Sequence, residues 1–339
     1  MKTLRSYVRK TLRLSTPLRT ATKVWRERNV FIIRYESAGV VGWGEAAPLE
    51  GWGSESEDEC IEQITRWIEC GVLPTTPSAS FGVEIAILDH AARRDGQPLW
   101  HFLGGKTGRV TCQETLGSNS VKDTILSLGD AFDAGFRTVK LKVGADSLRN
   151  DVDRMLKVSQ SFPDMRLRLD ANGSWSLADA QEFVEATRPL NIDYLEQPLE
   201  VGDIAGLVAL KKLGVTVAVD EGANTQLMRT RLIEAGAVDV FVLKPSVFGS
   251  VSELRDEVSR ISGEGIRVVF SSAIESAVGR NAVAHVVAGL GTTEPAGLNT
   301  GKWIEDDLAP WVVRNAEVIL EGPGIGVTLA EVAEQKHGN

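Results

Sequence analysis

The sequence predicts an α/β fold in which a closed barrel of the (β/α)8 type follows a smaller α+β domain. From about residue 109 onwards, short β-branched runs alternate with amphipathic helical stretches. The polar residues that end these runs recur every 24 to 28 positions, at Lys142, Asp170, Glu196, Asp220, Lys244 and Ser271. A strand–helix unit repeated at this period predicts a parallel sheet, and this many copies favour a barrel. An open doubly wound sheet is the alternative, and it usually carries a GxGxxG turn after its first strand, which is absent here.

The chain begins with a basic segment that we interpret as a β-hairpin. Residues 1–29 hold nine Lys or Arg and a single acid, Glu27, a composition that organelle transit peptides share. Residues 7–14 contain an alternating apolar and basic stretch, and residues 29–35 are rich in β-branched side chains, which is typical of paired strands. Because no linker separates the basic part from the second strand, we favour structure over targeting.

Two helices complete the first region. Residues 54–70 begin with a run of acids, which complement the dipole at a helix amino terminus, and residues 80–94 form a second predicted helix. Strands followed by helices are typical of an α+β unit. We therefore expect a capping domain in residues 1–105 and a barrel domain in residues 106–305, with residues 306–339 packing on the capping domain.

The predicted barrel consists of regularly spaced strands with helices between them. Six apolar runs predict strands at 138–143, 166–170, 192–196, 216–220, 239–244 and 267–271. Helical periodicity predicts helices at 177–187, 204–213, 227–235 and 251–262. In a barrel of this kind, active-site residues lie at the carboxyl-terminal ends of the strands, so the polar residues at those ends indicate where the chemistry takes place.

Composition excludes several classes of protein. Hydrophobic residues make up 43% of the chain and charged residues 24%, which is ordinary for a chain with a full core and rules out a disordered or fibrous protein. The formal net charge of −9 and the lack of long basic runs argue against nucleic acid as a partner. Three cysteines without zinc-site spacing fit a reducing compartment, so we expect a cytoplasmic protein. No apolar stretch reaches the roughly 18 residues of a membrane span.

Three acids end consecutive predicted strands. Asp170, Glu196 and Asp220 each follow an apolar run, and neighbouring strands lie about 4.8 Å apart, so the three carboxylates can share one coordination sphere. Negative charges held this close to one another favour a bound cation. Mg²⁺ suits oxygen ligands and leaves positions for water and substrate, with Mn²⁺ as a substitute. A salt bridge explains any one of these acids taken alone, whereas all three in register favour a metal site.

Lysines flank these acids. Lys140 and Lys142 share the inward face of one strand, and Lys244 ends a strand on the opposite wall of the barrel. Two ammonium groups near a dication disfavour each other's charged form, which predicts a lowered lysine pKa and a general base. Arg168 lies two residues before Asp170, so we expect it to act in the same direction and to hold Lys142 in place. Lysines at a solvent-facing rim would explain Lys140 or Lys244 alone, but explain the set poorly.

This ordered set resembles the enolase superfamily, in particular its muconate-lactonising-enzyme subgroup. Residues 140–142 are similar to the KxK motif, residues 170–172, 196–198 and 220–221 to the three metal-ligand signatures, and residues 244–245 to the lysine of the opposite face. The resemblance covers nearly the whole chain, because residues 1–105 are similar to the capping domain of that family. It implies a (β/α)7β barrel, a divalent metal and a lysine base acting next to a substrate carboxylate.

Within the subgroup, the sequence most resembles the o-succinylbenzoate synthases. Residues 42–49 are similar to the capping loop of those enzymes, residues 168–172 carry an Arg two positions before the first ligand, and residues 271–276 are similar to a substrate loop. Residues 297–301 lack the Asp-x-Asp with which dipeptide epimerases hold a substrate amine. Gly222 departs from the usual serine after the third ligand signature, which leaves the metal ligands intact but puts minor contacts in doubt.

The resemblance implies dehydration of 2-succinyl-6-hydroxy-2,4-cyclohexadiene-1-carboxylate to 2-succinylbenzoate, a step of menaquinone and phylloquinone biosynthesis. Lys142 would remove the proton next to the carboxylate and protonate the departing hydroxyl, while Lys244 and the metal stabilise the enediolate. We expect substrate contacts, including a pocket for the succinyl tail under the capping loop, from Pro48, Leu49, Trp52, Asn172, Ser271, Ser272 and Gly297.

Two alternatives stay open at the level of sequence. An N-succinylamino acid racemase, or a related epimerase, would use the same site with Lys142 and Lys244 exchanging protons on opposite faces of the substrate. A barrel that only binds a ligand or serves a structural role is more remote, because it predicts a missing ligand or base and none is missing here.

Overall fold

An antiparallel sheet with helices precedes a parallel barrel along the chain. The computed structural model describes residues 3–19, 24–117 and 120–329. Strands β1 (Leu4–Arg19), β2 (Val24–Ser37) and β3 (Val40–Ala46) form the antiparallel sheet, and helices α1 (Glu57–Cys70), α2 (Pro77–Arg94) and α3 (Leu99–Phe102) follow it. The predicted hairpin is confirmed, with Tyr7 opposite Ile33. Phe31, Ile33, Trp67 and Val83 form the core between this sheet and its helices.

The two predicted helices of this region are confirmed, and local capping explains where each begins. Helix α1 begins three residues later than predicted, because the Ser56 hydroxyl accepts from the backbone N–H of Glu59 while the Glu59 carboxylate accepts from that of Ser56. Helix α2 begins three residues earlier, at Pro77, whose fixed φ suits a first helical position. The Glu55 carboxylate accepts from the first N–H groups of that helix, which replaces a side-chain cap.

The barrel wall consists of seven parallel strands in sequential order. These are β5 (Glu114–Leu116), β6 (Thr138–Lys142), β7 (Arg166–Asp170), β8 (Ile192–Glu196), β9 (Val217–Val219), β10 (Val240–Leu243) and β11 (Arg267–Phe270), preceded by β4 (Arg109–Thr111). The helices between them are α4 (Val121–Asp133), α5 (Leu148–Ser161), α6 (Leu177–Thr187), α7 (Ile204–Lys211), α8 (Gln226–Glu234), α9 (Pro245–Phe248), α10 (Val251–Gly263) and α11 (Ala277–Leu290). The six predicted strands are confirmed to within one residue at each end, and the four predicted helices to within two.

A short extended segment closes the barrel. The backbone of Ala296 exchanges hydrogen bonds with Thr111 and Gln113 on one side, and that of Gly297 with Phe270 and Ser272 on the other. These residues therefore act as the eighth strand between β11 and the beginning of β5. Residues 299–316 follow without an α-helix, with one 3₁₀ turn at Gly301–Trp303. The barrel is of the (β/α)7β type, as expected.

The end of the described chain contacts both regions. Strand β12 (Glu317–Ile319) pairs with β4 beside the barrel. Further on, the backbone N–H of Ile325 donates to Asp89 of α2. The boundary at residues 105 and 106 stays a prediction, and residues 330–339 of the predicted C-terminal packing segment lie outside the described residues. No helix within residues 3–19, 24–117 and 120–329 is long and apolar enough to cross a membrane.

Candidate active site

Consecutive barrel strands bring acids and lysines to one end of the barrel. Parallel register pairs Lys142 of β6 with Asp170 of β7, and Asp170 with Glu196 of β8. Asp220 follows β9 two positions after Ala218, the residue opposite Glu196. Below them, the barrel interior is filled by apolar side chains of β9, β10 and β11 and by Tyr194 of β8. We call the polar group above this layer the mouth cluster: Lys140, Lys142, Asp170, Asn172, Glu196, Asp220, Glu221 and Lys244.

Lys140 joins two of the predicted metal ligands. Its Nζ donates to Glu196 Oε1 at 2.6 Å and lies 2.8 Å from Asp170 Oδ2. Both carboxylates are completely buried, and the lysine is nearly so. The structure therefore brings these three predicted residues into direct contact, with one ammonium group between two acids.

Lys142 lies at the solvent side of the same acids, with about a third of its side chain exposed (34%). Its Nζ donates to Asp170 Oδ2 at 2.7 Å and to Asn172 Oδ1 at 2.6 Å. Asn172 in turn donates to Glu221 Oε1 at 2.9 Å. Asn172 lies two residues after the end of β7 and Gln197 directly follows β8, and both adopt positive φ angles, of 45° and 39°. Left-handed conformations of non-glycine residues cost energy and cluster at functional sites.

Lys244 approaches from the opposite wall. Its Nζ donates to Asp220 Oδ1, and it lies 5.9 Å from the centre of the Trp52 ring of the capping loop. Two ammonium groups therefore face the acids from two sides, Lys142 from β6 and Lys244 after β10. This arrangement can take up or deliver a proton on either face of a ligand bound between them.

Family profiles match both parts of the chain. The profile described as "Enolase C-terminal domain-like" matches residues 126–333, and that described as "MenC, N-terminal domain" matches residues 3–90. The chain belongs to the enolase superfamily. It is therefore an enolase-superfamily enzyme, and barrel enzymes carry their active sites at the carboxyl-terminal ends of the strands, where the predicted acids and lysines lie.

Individual relatives in the superfamily differ in their reactions. The chain is 31% identical to an o-succinylbenzoate synthase of Thermosynechococcus vestitus, over 86% of this chain and 90% of that protein. It is 27% identical to an L-Ala-D/L-Glu epimerase of Bacillus subtilis, over 81% of each. The solved structure of an N-succinyl Arg/Lys racemase from Bacillus cereus superposes with a TM-score of 0.83 at 21% identity, covering 98% of this chain and 96% of that one. The family is therefore shared by enzymes of several specificities.

Within this enolase-superfamily site, two carboxylate oxygens stand out. Glu196 Oε2 and Glu221 Oε2 are buried and have no hydrogen-bond partner among the described residues. Burial, and then the charge of Asp170, raise the pKa of Glu196 to about 8. Burial, and then the charge of Asp220, raise the pKa of Glu221 above its ordinary value. Buried anionic oxygens without donors are costly unless a cation compensates them.

The donor set suits a divalent cation. Asp170, Glu196 and Asp220 supply hard oxygen ligands from three neighbouring strands, and Glu196 still has an unused oxygen. In the described ranges, no three Asp, Glu, His or Cys side chains already converge as a metal cage. Lys140 instead lies between Asp170 and Glu196, and Lys244 binds Asp220. The chemistry of the residues fits the metal, and the ligand assignment stays a prediction.

The lowered lysine pKa predicted for the Lys140 and Lys142 pair beside a dication stays a prediction, and the protein's own charges act in the opposite direction on Lys140 and Lys244. Burial by itself would lower the pKa of Lys140, but the charges of Asp170 and Glu196 more than reverse this and hold it well above its ordinary value. Burial by itself would also lower the pKa of Lys244, but the charge of Asp220 raises it above its ordinary value. The expected repulsion between ammonium groups is outweighed because each lysine directly contacts a carboxylate.

Arg168 does not hold Lys142 in place, contrary to prediction. Its guanidinium donates to Asp193 Oδ2 at 2.8 Å and to Glu294 Oε2 at 2.6 Å, and it also binds Gln113 and the carbonyl of Pro295. These partners lie towards the amino-terminal ends of the strands, on the other side of the apolar layer from Lys142. We call this group the floor cluster: Arg166, Arg168, Asp193, Arg267 and Glu294.

The predicted substrate contacts fall into two groups. Leu49 of the capping loop packs with Trp52 and with Val247 and Ala273 of the barrel, which forms an apolar wall beside Lys244. Pro48 is buried next to it. The Ser272 hydroxyl donates to Glu275 and accepts from the side chain of Thr300 and the backbone of Ile274. All of its hydrogen-bonding capacity is therefore used within the protein, so this hydroxyl does not make the predicted substrate contact. Ser271 and Gly297 bridge β11 to the eighth strand.

Sequence reasoning left two contributors out of the site. Glu221 binds Asn172, and the signal that could have found it is the second acid of the Asp220–Glu221 pair. Arg154 of α5 donates to the carbonyl of Lys142 at 2.6 Å, and no sequence pattern indicates this contact. Gly222 stands where the family usually has a serine, and the local packing favours the glycine. A Cβ at this position would lie only 2.8 Å from Val219 Cγ1, which is too close.

Proposed function

We propose that this enolase-superfamily enzyme is an o-succinylbenzoate synthase, a carbon–oxygen lyase that dehydrates 2-succinyl-6-hydroxy-2,4-cyclohexadiene-1-carboxylate to 2-succinylbenzoate. The observation that carries the proposal is the joint presence of the Lys142–Asp170–Asn172 contact at the barrel mouth and a capping domain that matches the MenC family. The relative of 31% identity with that activity supports it. The proposal assigns the enzyme to menaquinone or phylloquinone biosynthesis.

In this mechanism Lys142 is both base and acid. It is the most exposed of the three mouth lysines, and Asp170 and Asn172 fix its Nζ towards the mouth. In its neutral form it takes the proton next to the ring carboxylate, and it then returns a proton to the departing hydroxyl on the same face. A single residue serving both steps produces a syn elimination, and aromatisation of the ring drives it forward.

The remaining mouth residues bind and compensate charge. Lys244 faces the substrate from the opposite wall and stabilises the negative charge that develops on the carboxylate oxygens. Asp170, Glu196 and Asp220 would hold Mg²⁺, or Mn²⁺ in its place, which when bound supplies further positive charge to the same carboxylate. Trp52, which is half-buried beside Lys244 and packs against Leu49 and Ala273, would contact the methylene groups of the succinyl tail.

A dehydration assay tests the proposal. The purified chain with Mg²⁺ is mixed with the cyclohexadiene substrate, and formation of the aromatic product is followed by ultraviolet absorbance. Product should form rapidly with the native chain and should not form with Lys142→Ala. Weak dehydration by the native chain would overturn the proposal if, in D₂O, the same preparation rapidly deuterates the α-carbon of N-succinylamino acids.

That second outcome would favour an N-succinylamino acid racemase or a related epimerase. The observation behind this alternative is the pair of ammonium groups on opposite walls, since 1,1-proton transfer needs an acid–base group on each face. Lys244→Ala separates the two reactions. It should abolish racemisation, which uses both lysines, and slow dehydration less than Lys142→Ala does, because Lys244 then serves only to stabilise charge.

A further inference from the structure

A buried arginine joins the capping domain to the barrel beside the mouth. Arg28 of β2 is only 4% exposed. Its guanidinium donates to the backbone carbonyls of Ala47 and Ala273, and reaches that of Pro48 at 3.4 Å. Two of these carbonyls belong to the capping loop (residues 47–52) and one to the loop after β11 (residues 271–276). One side chain therefore ties together two segments that are far apart in sequence.

The contacts of Arg28 are unusual for a buried cation. Every hydrogen bond that the described residues give it goes to a carbonyl oxygen, and its Nε is buried without a partner. Burial lowers its pKa, and the nearby charges of Glu275 and Glu45 counteract this. A buried guanidinium without a bonded carboxylate costs desolvation free energy that no direct ion pair repays. What it does provide is a fixed distance between the two loops, because its planar donors reach both at once.

The two loops that Arg28 joins pack on each other beside Lys244. Leu49 of the capping loop and Ala273 of the barrel loop are buried in one apolar cluster with Val247 of α9, three residues after Lys244. Trp52 of the capping loop packs against this cluster next to Lys244. A change in the separation of the two loops would therefore move Trp52 relative to Lys244.

The barrel loop is under backbone strain that its contacts must hold. Ile274 has a φ of 61°, a left-handed conformation that is an outlier for a β-branched residue. On the barrel side, Glu275 accepts from the backbone N–H of Ala273 at 2.8 Å. From the capping side, Glu45 accepts from the N–H groups of Ser276 and Gly279, both at 2.9 Å, and Arg28 binds the carbonyl of Ala273.

We propose that Arg28 is a positioning residue that clamps the capping loop onto the barrel loop and thereby holds Trp52 beside Lys244, where this side chain contacts the non-reacting, apolar end of the substrate. The identity of that end as a succinyl chain rests on the proposed function, whereas the clamp itself does not. Arg28 touches neither the reacting atoms nor the mouth cluster, so it acts on substrate binding rather than on proton transfer.

Steady-state kinetics of the full chain test this role. Arg28→Met should raise KM for the cyclohexadiene substrate about tenfold or more and change kcat by no more than about threefold, because a displaced Trp52 weakens ground-state and transition-state binding alike. Arg28→Lys should recover part of the loss, since an ammonium group can still donate to several carbonyls. The control is Arg93→Met, which removes a guanidinium that binds Asp89 and the carbonyl of Val327 away from the mouth, and it should leave KM unchanged even where it lowers stability. A fall in kcat at constant KM, or an equal rise in KM in the control, would overturn the proposal.

Amide hydrogen exchange gives a readout that does not depend on activity. In Arg28→Met, exchange at residues 47–52 and 271–276 should become faster together, while strand β7 exchanges as in the native chain. If the methionine variant does not fold, the same comparison is made with Arg28→Lys, which should show a smaller change in the same two segments. Native exchange rates in both loops would refute the clamp. If the native chain does not dehydrate the substrate, the proposed function fails, and the exchange result still decides the role of Arg28.

Discussion

The same barrel strands carry two clusters of buried charge, and the acids of the two clusters are compensated to different degrees. In the floor cluster, Asp193 lies within 2.9 Å of three arginines. Burial would raise the pKa of Asp193, but hydrogen bonds from these arginines lower it below its ordinary value. In the mouth cluster, burial and a neighbouring acid raise the pKa of Glu196 to about 8, and one of its oxygens has no described partner.

This difference separates charge that stabilises a fold from charge that serves a reaction. The floor arginines outnumber the two acids they bind, and each carboxylate is bonded, so the cluster has no capacity left for a ligand. At the mouth, four carboxylates share three lysines, and two oxygens stay without donors. A cluster with too few donors inside an otherwise well-bonded protein indicates a binding site for a cation or a polar ligand.

The largest expected effect is at Lys142. Lys142→Ala should reduce kcat by about a hundredfold to ten-thousandfold, the usual contribution of a general acid–base residue. The fold should persist, because the side chain is partly exposed and contributes no apolar core contact. Steady-state kinetics and a thermal melt measure both. Activity above about a hundredth of the native value would contradict the role of Lys142 as the base.

A substitution in the floor cluster should instead change the free energy of unfolding. Arg168→Met leaves a buried glutamine and a carbonyl without their donor and removes one cation from Asp193 and Glu294, so unfolding should become easier by about 3 kcal/mol or more. Urea denaturation measures this change. The folded fraction should keep far more activity than Lys142→Ala does. A loss of kcat comparable to that of Lys142→Ala, without destabilisation, would restore the catalytic role that the sequence predicted for Arg168.

A third buried carboxylate, that of Glu45, tests whether burial raises the pKa of an acid that is bonded only to neutral donors. Glu45 accepts from backbone and hydroxyl donors, no described residue forms an ion pair with it, and burial raises its pKa to about 7. The folded state therefore holds a proton that the unfolded state releases at lower pH, so stability should fall as pH rises from about 4.5 to 7 and level off above. Relative to Glu45→Gln, which does not titrate, the decline should be on the order of 2 kcal/mol in urea denaturation. Parallel curves for the two proteins would argue against a raised pKa.

The sequence predicted the mouth better than the floor for a physical reason. Strand periodicity determines which face a residue occupies, and this was enough for Asp170 and Glu196, whose short side chains must act close to their own backbone. Arg168 was assigned to the correct inward face, but its long side chain extends to the amino-terminal side of the apolar layer, and periodicity contains no information on that direction. The same limit applies to Ser272, whose hydroxyl is used by Thr300 and Glu275 through contacts that only the closed barrel creates.

Helix ends show a similar division between local and tertiary information. The boundaries of α6 follow from its own sequence, with Ser176 as a local cap, and the prediction is correct at both ends. The start of α2 depends on Glu55, which is distant from that helix in sequence, and the prediction is three residues late. Arg28 escaped prediction for the same reason, because its partners belong to two loops that meet only when the capping domain packs on the barrel.

The smallest expected effect compares one glutamate from each cluster. Glu196→Gln replaces an anionic ligand candidate by a neutral one, so Mg²⁺ affinity should fall at least about tenfold in a calorimetric titration. Glu294→Gln makes the same chemical change in the floor cluster, where arginines already bind the carboxylate, and it should leave Mg²⁺ affinity at the native value. Because both substitutions remove one negative charge, a general electrostatic effect would weaken binding equally in the two variants. Equal weakening would therefore remove the distinction between the clusters, whereas a change confined to Glu196→Gln would place the cation at the acids of the mouth.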